Sequence, residues 1–274
     1  MGLRVNTNIA SMTSQRNLGA VTDRLQGNYS RLSSGLRIAT AADDAAGLGI
    51  SERMRSQIRS LAQNARNALD GISLAQSAEG ALNETSNTLV RMRELAIQAS
   101  NGTLSAADRA TIDSEFQALK EEIDRIAAET EFNGIALLDG STTTVEIQVG
   151  LDSGDVITID LQDVTTTTMG ISTTGVTTVT AASDSLALID NAITTLNTTR
   201  GDMGAAQNRI LSSYRSINNT KENLSAAESR IRDVDVAAET ADLSRNSIMQ
   251  QAAVAILSQA NTQPQLALSL LSGR

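Results

Sequence analysis

The stretch LALIDNAITTLNTTRGDMGAAQNRILSSYRSINNTKENLSAAESRIRDV, residues Leu186–Val234, decides the fold. Every seventh residue from Ile189 is large and aliphatic: Ile189, Leu196, Met203, Ile210, Ile217, Leu224 and Ile231. Residues seven apart share one face of an α-helix, so these form a single apolar stripe. At ~1.5 Å per residue such a helix is roughly 75 Å long, far beyond the usual globular helix. The companion row is weaker: Leu186 and Ile193 begin it, and Arg200, Gln207, Tyr214, Lys221 and Glu228 follow. A narrow stripe with a mixed second row predicts a mainly α fold, an elongated antiparallel helical bundle or coiled coil whose other helices cover the stripe.

Composition agrees. Cys, His and Trp are absent, and the aromatic residues are Tyr29, Phe116, Phe132 and Tyr214. The core must then be built from Ala, Leu, Ile and Val, which suits thin helical bundles. Without Cys there is no disulfide framework or thiolate metal site. Without His the commonest general base and metal ligand are gone, which argues against enzymatic chemistry and against a cofactor. The net charge is −9, unevenly spread: residues 1–70 carry nine Arg against five acids, and the rest of the chain is acidic. All basic residues except Lys120 and Lys221 are Arg. Ordinary solvated helix surface explains this; complementarity between copies, where Arg forks suit an interface, is the sharper reading. An acidic chain nearly free of stacking aromatics is not expected to bind nucleic acid. No apolar run suits a secretory signal peptide or a membrane-spanning helix.

Outward from the opening stretch, residues 1–40 predict a helix with an interrupted stripe: Ile9 and Met12, then Leu18, Val21, Leu25 and Leu32. Interior Gly19 and Gly27 each cost ~1 kcal/mol relative to Ala, so this helix needs a partner. Arg31–Ser51, rich in Gly, Ser, Thr and Ala, predicts a turn with close backbone approach. Asp43 and Asp44 within it read more simply as helix N-terminal carboxylates than as metal ligands. A long helix over Ser51–Ser100 follows, with a seam from Met54 to Ala75 that Glu79 interrupts, and Asn101-Gly102 predicts its end. Ser105 with Asp108 forms a capping-box pattern ahead of a third helix, whose seam is Ile112, Phe116, Leu119, Ile123 and Ile126. Asn133-Gly134 marks a turn. Period-two alternation over 143–161 predicts a β-hairpin. Residues 163–183, rich in Thr, Ser and Gly, predict an irregular surface tip. Past Val234, the run Asn246–Gly273 carries no charge. Ile248 and Met249, Ala252 and Ala253, and Ile256 and Leu257 form its broad stripe, Pro264 limits its helix, and Leu266, Leu270 and Leu271 follow. Its Gln and Asn content excludes a bilayer. Chain ends that carry the most uncovered apolar surface point to polymerisation.

Five runs carry a family resemblance: NTNIAS at Asn6–Ser11, LSSGLRIATAADDAAGLGIS at Leu32–Ser51, VRMRELAIQASNGT at Val90–Thr103, SRIRDVDVAAETADLSRNSIMQQA at Ser229–Ala252, and ILSQANTQPQLALSLL at Ile256–Leu271. Over nearly its whole length the chain resembles bacterial flagellin. The resemblance implies a D0 coiled coil from residues 1–40 and 235–274. It implies a D1 region from 41–183 (two helices, hairpin and short variable tip) and the long helix of 184–234. With so short a segment after the hairpin, the outer D2 and D3 domains of larger members are not expected. The implied function is a structural subunit that self-assembles into the extracellular flagellar filament for motility, after export through the flagellar secretion apparatus and polymerisation at the tip. The implied partners are further copies of itself, a flagellar export chaperone, and the filament cap and hook–filament junction proteins. Filament packing falls to Ile9, Met12, Leu18, Val21, Leu25, Leu32, Ile248, Met249, Ile256, Leu257, Leu270 and Leu271. Chaperone contact falls to the tail residues Leu243, Ile248, Val254, Leu257 and Leu266. In the family a D1 surface is recognised by Toll-like receptor 5, and the matching positions are Arg91, Leu95 and Glu115. The alternatives are a hook–filament junction protein of the same family, or a secreted binding protein or enzyme on a coiled-coil stalk.

Overall fold

The computed structural model describes the backbone of residues 7–271 and the side chains of residues 7–264. Its helices are α1 (Ile9–Ser34), α2 (Ala45–Ala99), α3 (Ala106–Glu129), α4 (Val179–Arg232) and α5 (Val236–Leu271). Its strands are β1 (Glu131–Phe132), β2 (Ile135–Ala136), β3 (Thr144–Gln148) and β4 (Val156–Asp160). The fold is mainly α with antiparallel pairing, as the heptad stripe predicts. Contacts divide the chain into two units: the two chain ends together, Met1–Ser56 with Asn223–Arg274, and the middle, Gln57–Glu222.

In the middle unit, α2, α3 and α4 bury a shared core. The α4 stripe is buried at Ile189, Leu196, Met203, Ile210 and Ile217. Its companion row is not the one expected from large side chains. The buried neighbours are Ser185, Ala192, Thr199 and Ala206, one position before Leu186, Ile193, Arg200 and Gln207. The Thr-rich segment meets the first member of this row. The Ser185 hydroxyl donates to the Gly175 carbonyl at 3.0 Å, and Thr199 donates to its own helix at Thr195, 3.1 Å. On α2 the seam also continues through the apparent break at Glu79. Ala78, Thr85, Met92 and Ala99 take over the second row beside Leu82, Leu89 and Ala96.

Ends and turns follow local chemistry. The expected helix over 1–40 stops at Ser34. Gly35, at φ 72°, caps it in the left-handed region and donates to the Arg31 carbonyl. The next helix begins at Ala45 rather than Ser51, because Asp44 caps it: Oδ1 accepts from the Gly47 amide at 2.9 Å. Gly47 is there for space, since a Cβ would lie 2.5 Å from Asp44 Oδ2 and 2.8 Å from Ile38 Cδ1. Asn101-Gly102 does not supply the expected glycine cap; α2 ends at Ala99, whose carbonyl accepts instead from Arg109 Nε at 2.9 Å. Ser105 and Asp108 form the capping box that starts α3. Asn133 and Gly134 both take positive φ, 52° and 79°, which makes a tight turn between β1 and β2, a second hairpin that the sequence pattern does not separate. β3 and β4 pair antiparallel in the predicted hairpin, Ile147 opposite Ile157. Gly71 of α2 makes room for Ile147, whose Cγ1 would lie 3.0 Å from a Cβ there.

The segment 163–183 corrects the expectation of a surface tip. Val164, Thr166, Met169, Ile171, Thr174 and Val176 are buried. A polar row on α3 receives its backbone. Asp124 accepts from the Thr166 amide and hydroxyl, each at 2.8 Å, and Asp113 accepts from the Val176 amide at 2.7 Å. Gln117 donates to the Thr174 carbonyl at 3.2 Å. Lys120 donates to the carbonyls of Ser172 and Thr174, at 2.5 and 3.1 Å. Irregular backbone can be buried only when its polar groups are paired, and these four side chains pair them.

In the unit built from the chain ends, α1 and α5 pack antiparallel. The seam residues of α1 are Ser11, Ser14, Leu18, Val21, Leu25, Asn28 and Leu32, each buried or half-buried and spaced alternately three and four. Those of α5 are Glu239, Leu243, Asn246, Gln250, Ala253, Leu257, Ala260 and Pro264, spaced alternately four and three. Pro264 does not limit the helix as expected; α5 continues to Leu271. Proline removes the N–H that would bond the carbonyl four residues back. That carbonyl, of Ala260, accepts from Asn8 Nδ2 at 2.8 Å instead. Where α1 and α4 end, Arg37 N donates to the Arg232 carbonyl at 2.6 Å and Val234 N donates to that of Gly35 at 3.0 Å. Arg232 Nη1 meets Glu52 at 2.7 Å, which holds the Glu52 carboxyl below its ordinary range.

Candidate interaction surfaces

The seam of α1 with α5 divides the residues expected to pack in a polymer. Leu18, Val21, Leu25, Leu32, Met249 and Leu257 lie on or beside the helix–helix contact, buried or half-buried, and Leu243 lies there as well. Ile9 and Met12 do not. At their level the seam is Ser11 and Ser14, so Ile9 and Met12 point away, 62% and 61% exposed. On α5, Ile248, Val254 and Ile256 are likewise outside the pair, at 67%, 51% and 59% exposure. The apolar surface of this unit is thus of two kinds: one part holds the two helices together, and the rest lies open around both. Leu266, Leu270 and Leu271 lie outside the described side chains.

A third surface sits on the middle unit. Leu69, Val90 and Ile97 of α2 are spaced in multiples of seven, and each is close to half exposed. Heptad counting from Leu69 would have found this row. Arg91 stands beside it. Its Nε and Nη2 donate to Glu115 Oε1 of α3 at 3.0 and 2.8 Å, and Nη1 donates to Glu94 at 3.0 Å. These bonds, Glu115 first and Glu94 second, hold the guanidinium further above its ordinary pKa. Arg93 reaches Asp190 of α4 at 2.7 Å. The three positions matched to a receptor surface are therefore not equivalent. Arg91 and Glu115 form an exposed ion pair, whereas Leu95 is 1% exposed and packs in the core. Lys120, also set apart from solvent, has its ammonium pKa lowered by burial, against the pull of Asp113 and Asp124.

Concave chemistry is sparse. A shallow groove of about 370 Å³ is lined by Gln76, Glu79, Gly80, Asn83 and Arg200. Among the described residues, no three His, Cys, Asp or Glu side chains are grouped to hold a metal ion, and no helix is long and apolar enough to cross a membrane. The features that stand out are faces rather than pockets.

Known proteins share this arrangement. Residues 5–143 match the bacterial flagellin N-terminal helical region, and residues 186–271 match the bacterial flagellin C-terminal helical region. A flagellin of Halalkalibacterium halodurans is 47% identical over 269 residues, covering 97% of this chain and 99% of that protein. The flagellar filament 30.7 kDa core protein of Treponema maltophilum is 41% identical over 283 residues, covering 98% of this chain and 99% of that protein. The crystal structure of Bacillus cereus flagellin superposes with a TM-score of 0.52 at 35% identity, covering 60% of this chain and 94% of that one. The chain belongs to the bacterial flagellin family.

Proposed function

We propose that this chain is the structural subunit of a bacterial flagellar filament, polymerising with copies of itself into an extracellular helical appendage that drives motility. The family is one of structural proteins. One observation carries the reading: α1 and α5 pair through one face of each helix and leave Ile9, Met12, Ile248, Val254 and Ile256 each more than half exposed outside that contact. Removing that apolar area from water is the driving force available for association. A heterologous contact that does not close into a ring repeats as an open helical polymer. In this reading residues 1–40 and 235–274 are the D0 part of the subunit, and residues 41–183 and 184–234 its D1 part.

The finer partners belong to the same proposal. An export chaperone shields the tail at Leu243, Ile248, Val254, Leu257 and Leu266 until the subunit leaves through the flagellar export apparatus. The uncharged run Asn246–Gly273, with Ile248, Val254 and Ile256 more than half exposed, supports this. Cap and hook–filament junction proteins receive the subunit at the tip and base. A Toll-like receptor 5 contact draws on the exposed Arg91–Glu115 pair, with Leu95 holding α2 in place beneath it.

The test is seeded polymerisation of the purified chain, followed by electron microscopy and sedimentation. Long filaments are expected from the parent. Ile256→Asp places an unpaired charge in every subunit contact, a cost of several kcal/mol per copy, and is expected to abolish filaments while far-UV circular dichroism still reports helices. A chain that stays monomeric on intact seeds, or an Ile256→Asp variant that polymerises like the parent, overturns the reading.

A further inference from the structure

We infer that two polar pins, Asn8 on the Ala260 carbonyl and Asn28 on Asn246 and Glu239, select the register in which α1 pairs with α5. Backbone bonds of Gly35 and Arg37 to Val234 and Arg232 tie the two helices where α5 begins; beyond that junction the apolar seam does not fix position by itself. Its α1 rows read Ser11, Leu18, Leu25, Leu32 and Ser14, Val21, Asn28; its α5 rows read Leu243, Gln250, Leu257, Pro264 and Asn246, Ala253, Ala260. Sliding one helix by seven residues sets apolar residues together again: Leu18 against Ala260, Leu25 against Ala253 and Val21 against Leu257. Both helices are also weakly amphipathic and interrupted by Gly19 and Gly27 in α1 and Pro264 in α5. A heptad seam of this kind specifies pairing but not position, which is the circumstance in which coiled coils use a buried Asn.

The pins sit at opposite ends of the pair. At one end, the sole proline of the chain orphans the Ala260 carbonyl, and Asn8 takes it at 2.8 Å. The same Asn8 uses Oδ1 to cap α1, accepting from the Ser11 amide at 3.0 Å, while the Ser11 hydroxyl meets Asn261 Oδ1 at 2.7 Å. At the other end, Asn28 Nδ2 donates to Glu239 Oε1 at 2.6 Å, and Asn246 Nδ2 donates to Asn28 Oδ1 at 2.7 Å. Asn28, Glu239 and Asn246 are all buried. Arg31 approaches Glu239 at 3.8 Å. A slip that brings Ala260 opposite Leu18 removes Asn8 from the Ala260 carbonyl and takes both Asn28 and Arg31 from Glu239. A buried carbonyl and a buried carboxylate are then unpaired, and such groups cost far more than the bonds contributed. The proline, which weakens α5 as a helix, thereby marks the one position on α5 where Asn8 belongs.

The chain has no cysteine, so register can be read by disulfide cross-linking. Leu18 lies opposite Ala253, midway between the Ser11–Asn261 and Asn28–Asn246 contacts. Leu18→Cys with Ala253→Cys reports the native register, and Leu18→Cys with Ala260→Cys reports the one-heptad slip. Both pairs are oxidised in the full-length chain, free and as sedimented polymer, in three backgrounds: parent, Asn28→Leu, and Asn28→Leu with Pro264→Ala. In the last, position 264 regains a backbone N–H, so the carbonyl of residue 260 is satisfied within α5 in any register. The parent is expected to cross-link almost wholly through the native pair. The double background should raise the slipped fraction about tenfold or more, the equilibrium shift that follows from losing one buried bond's worth of preference. Asn28→Leu alone should give an intermediate value. A slipped fraction as low as the parent's in all backgrounds overturns the inference. So does loss of the native cross-link without gain of the slipped one, which would mean that these residues stabilise the pair without choosing its position.

Discussion

Replacing Lys120 with Met tests whether the Thr-rich segment is held by the polar row of α3. Methionine keeps the apolar stem of lysine and removes its ammonium. Three bonds are lost: to the Ser172 carbonyl at 2.5 Å, to the Thr174 carbonyl at 3.1 Å, and to Gln117 Oε1 at 3.0 Å. Bonds to a charged donor contribute ~1.5–3 kcal/mol each, but the total is smaller than their sum. The buried Thr174 carbonyl keeps the Gln117 amide. Ser172 is exposed, so water replaces the ammonium at its carbonyl. Methionine also escapes the desolvation that lowers the Lys120 pKa. A net loss of about 2 kcal/mol remains. For a unit of this size, that lowers the melting temperature by roughly 4–8 °C. Thermal melts of the full chain by circular dichroism measure the loss, and hydrogen exchange measures its place, with amides of residues 166–176 expected to speed up more than those of α4. A melt within ~1 °C of the parent, or exchange unchanged at 166–176, refutes the anchoring role.

Three further outcomes follow from other parts of the structure. Gly71→Val should destabilise the middle unit by ~1–3 kcal/mol in urea melts, because its Cβ meets Ile147 at 3.0 Å before the γ-methyls are added. Below the ordinary carboxylate range the chain should lose stability. The folded-state pKa values of Asp43, through the Thr40 amide, and Glu52, through Arg232, are lowered from 3.8 and 4.5. Their contribution is complete above those ordinary values and is lost as pH falls through the folded ones. Glu52→Gln should flatten that acid limb, and an unchanged limb would remove Glu52 from the account. Hydrogen exchange over residues 1–40 and 240–274 should be faster in the free chain than in the polymer, because the α1–α5 pair opens more readily without neighbouring copies; equal protection in both states would show that assembly adds no order to the ends.

Much of this architecture can be read from the chain. The heptad row Ile189–Ile217, the Ser105–Asp108 capping box and the period-two hairpin each rest on a local pattern with one physical solution. The parts that cannot be read that way share a cause. A search for large apolar side chains passes over the row Ser185, Ala192, Thr199 and Ala206, because these buried side chains are small and two of them are polar. The same search takes Ile9 and Met12 as seam residues, although Ser11 and Ser14 occupy the seam. Composition marks 163–183 as surface, since the bonds that allow its burial come from α3, some 40–60 residues earlier. Pro264 reads as a helix stop until Asn8, at the other end of the chain, is seen to satisfy the carbonyl it leaves. Of the candidate surfaces, the terminal apolar stripes are legible in sequence; the pairing of Arg91 with Glu115 and the burial of Leu95 are not.

On α3, Asp113, Gln117, Lys120 and Asp124 hold residues 166–176 almost wholly by main-chain amides and carbonyls, which every non-proline residue offers alike. Such a grip is blind to sequence. The outward residues Thr167, Ser172, Thr173 and Thr177 are exposed, so their identities can drift with little penalty while the segment keeps its path. A subunit anchored in this way can vary the surface it exposes here while the framework beneath stays the same.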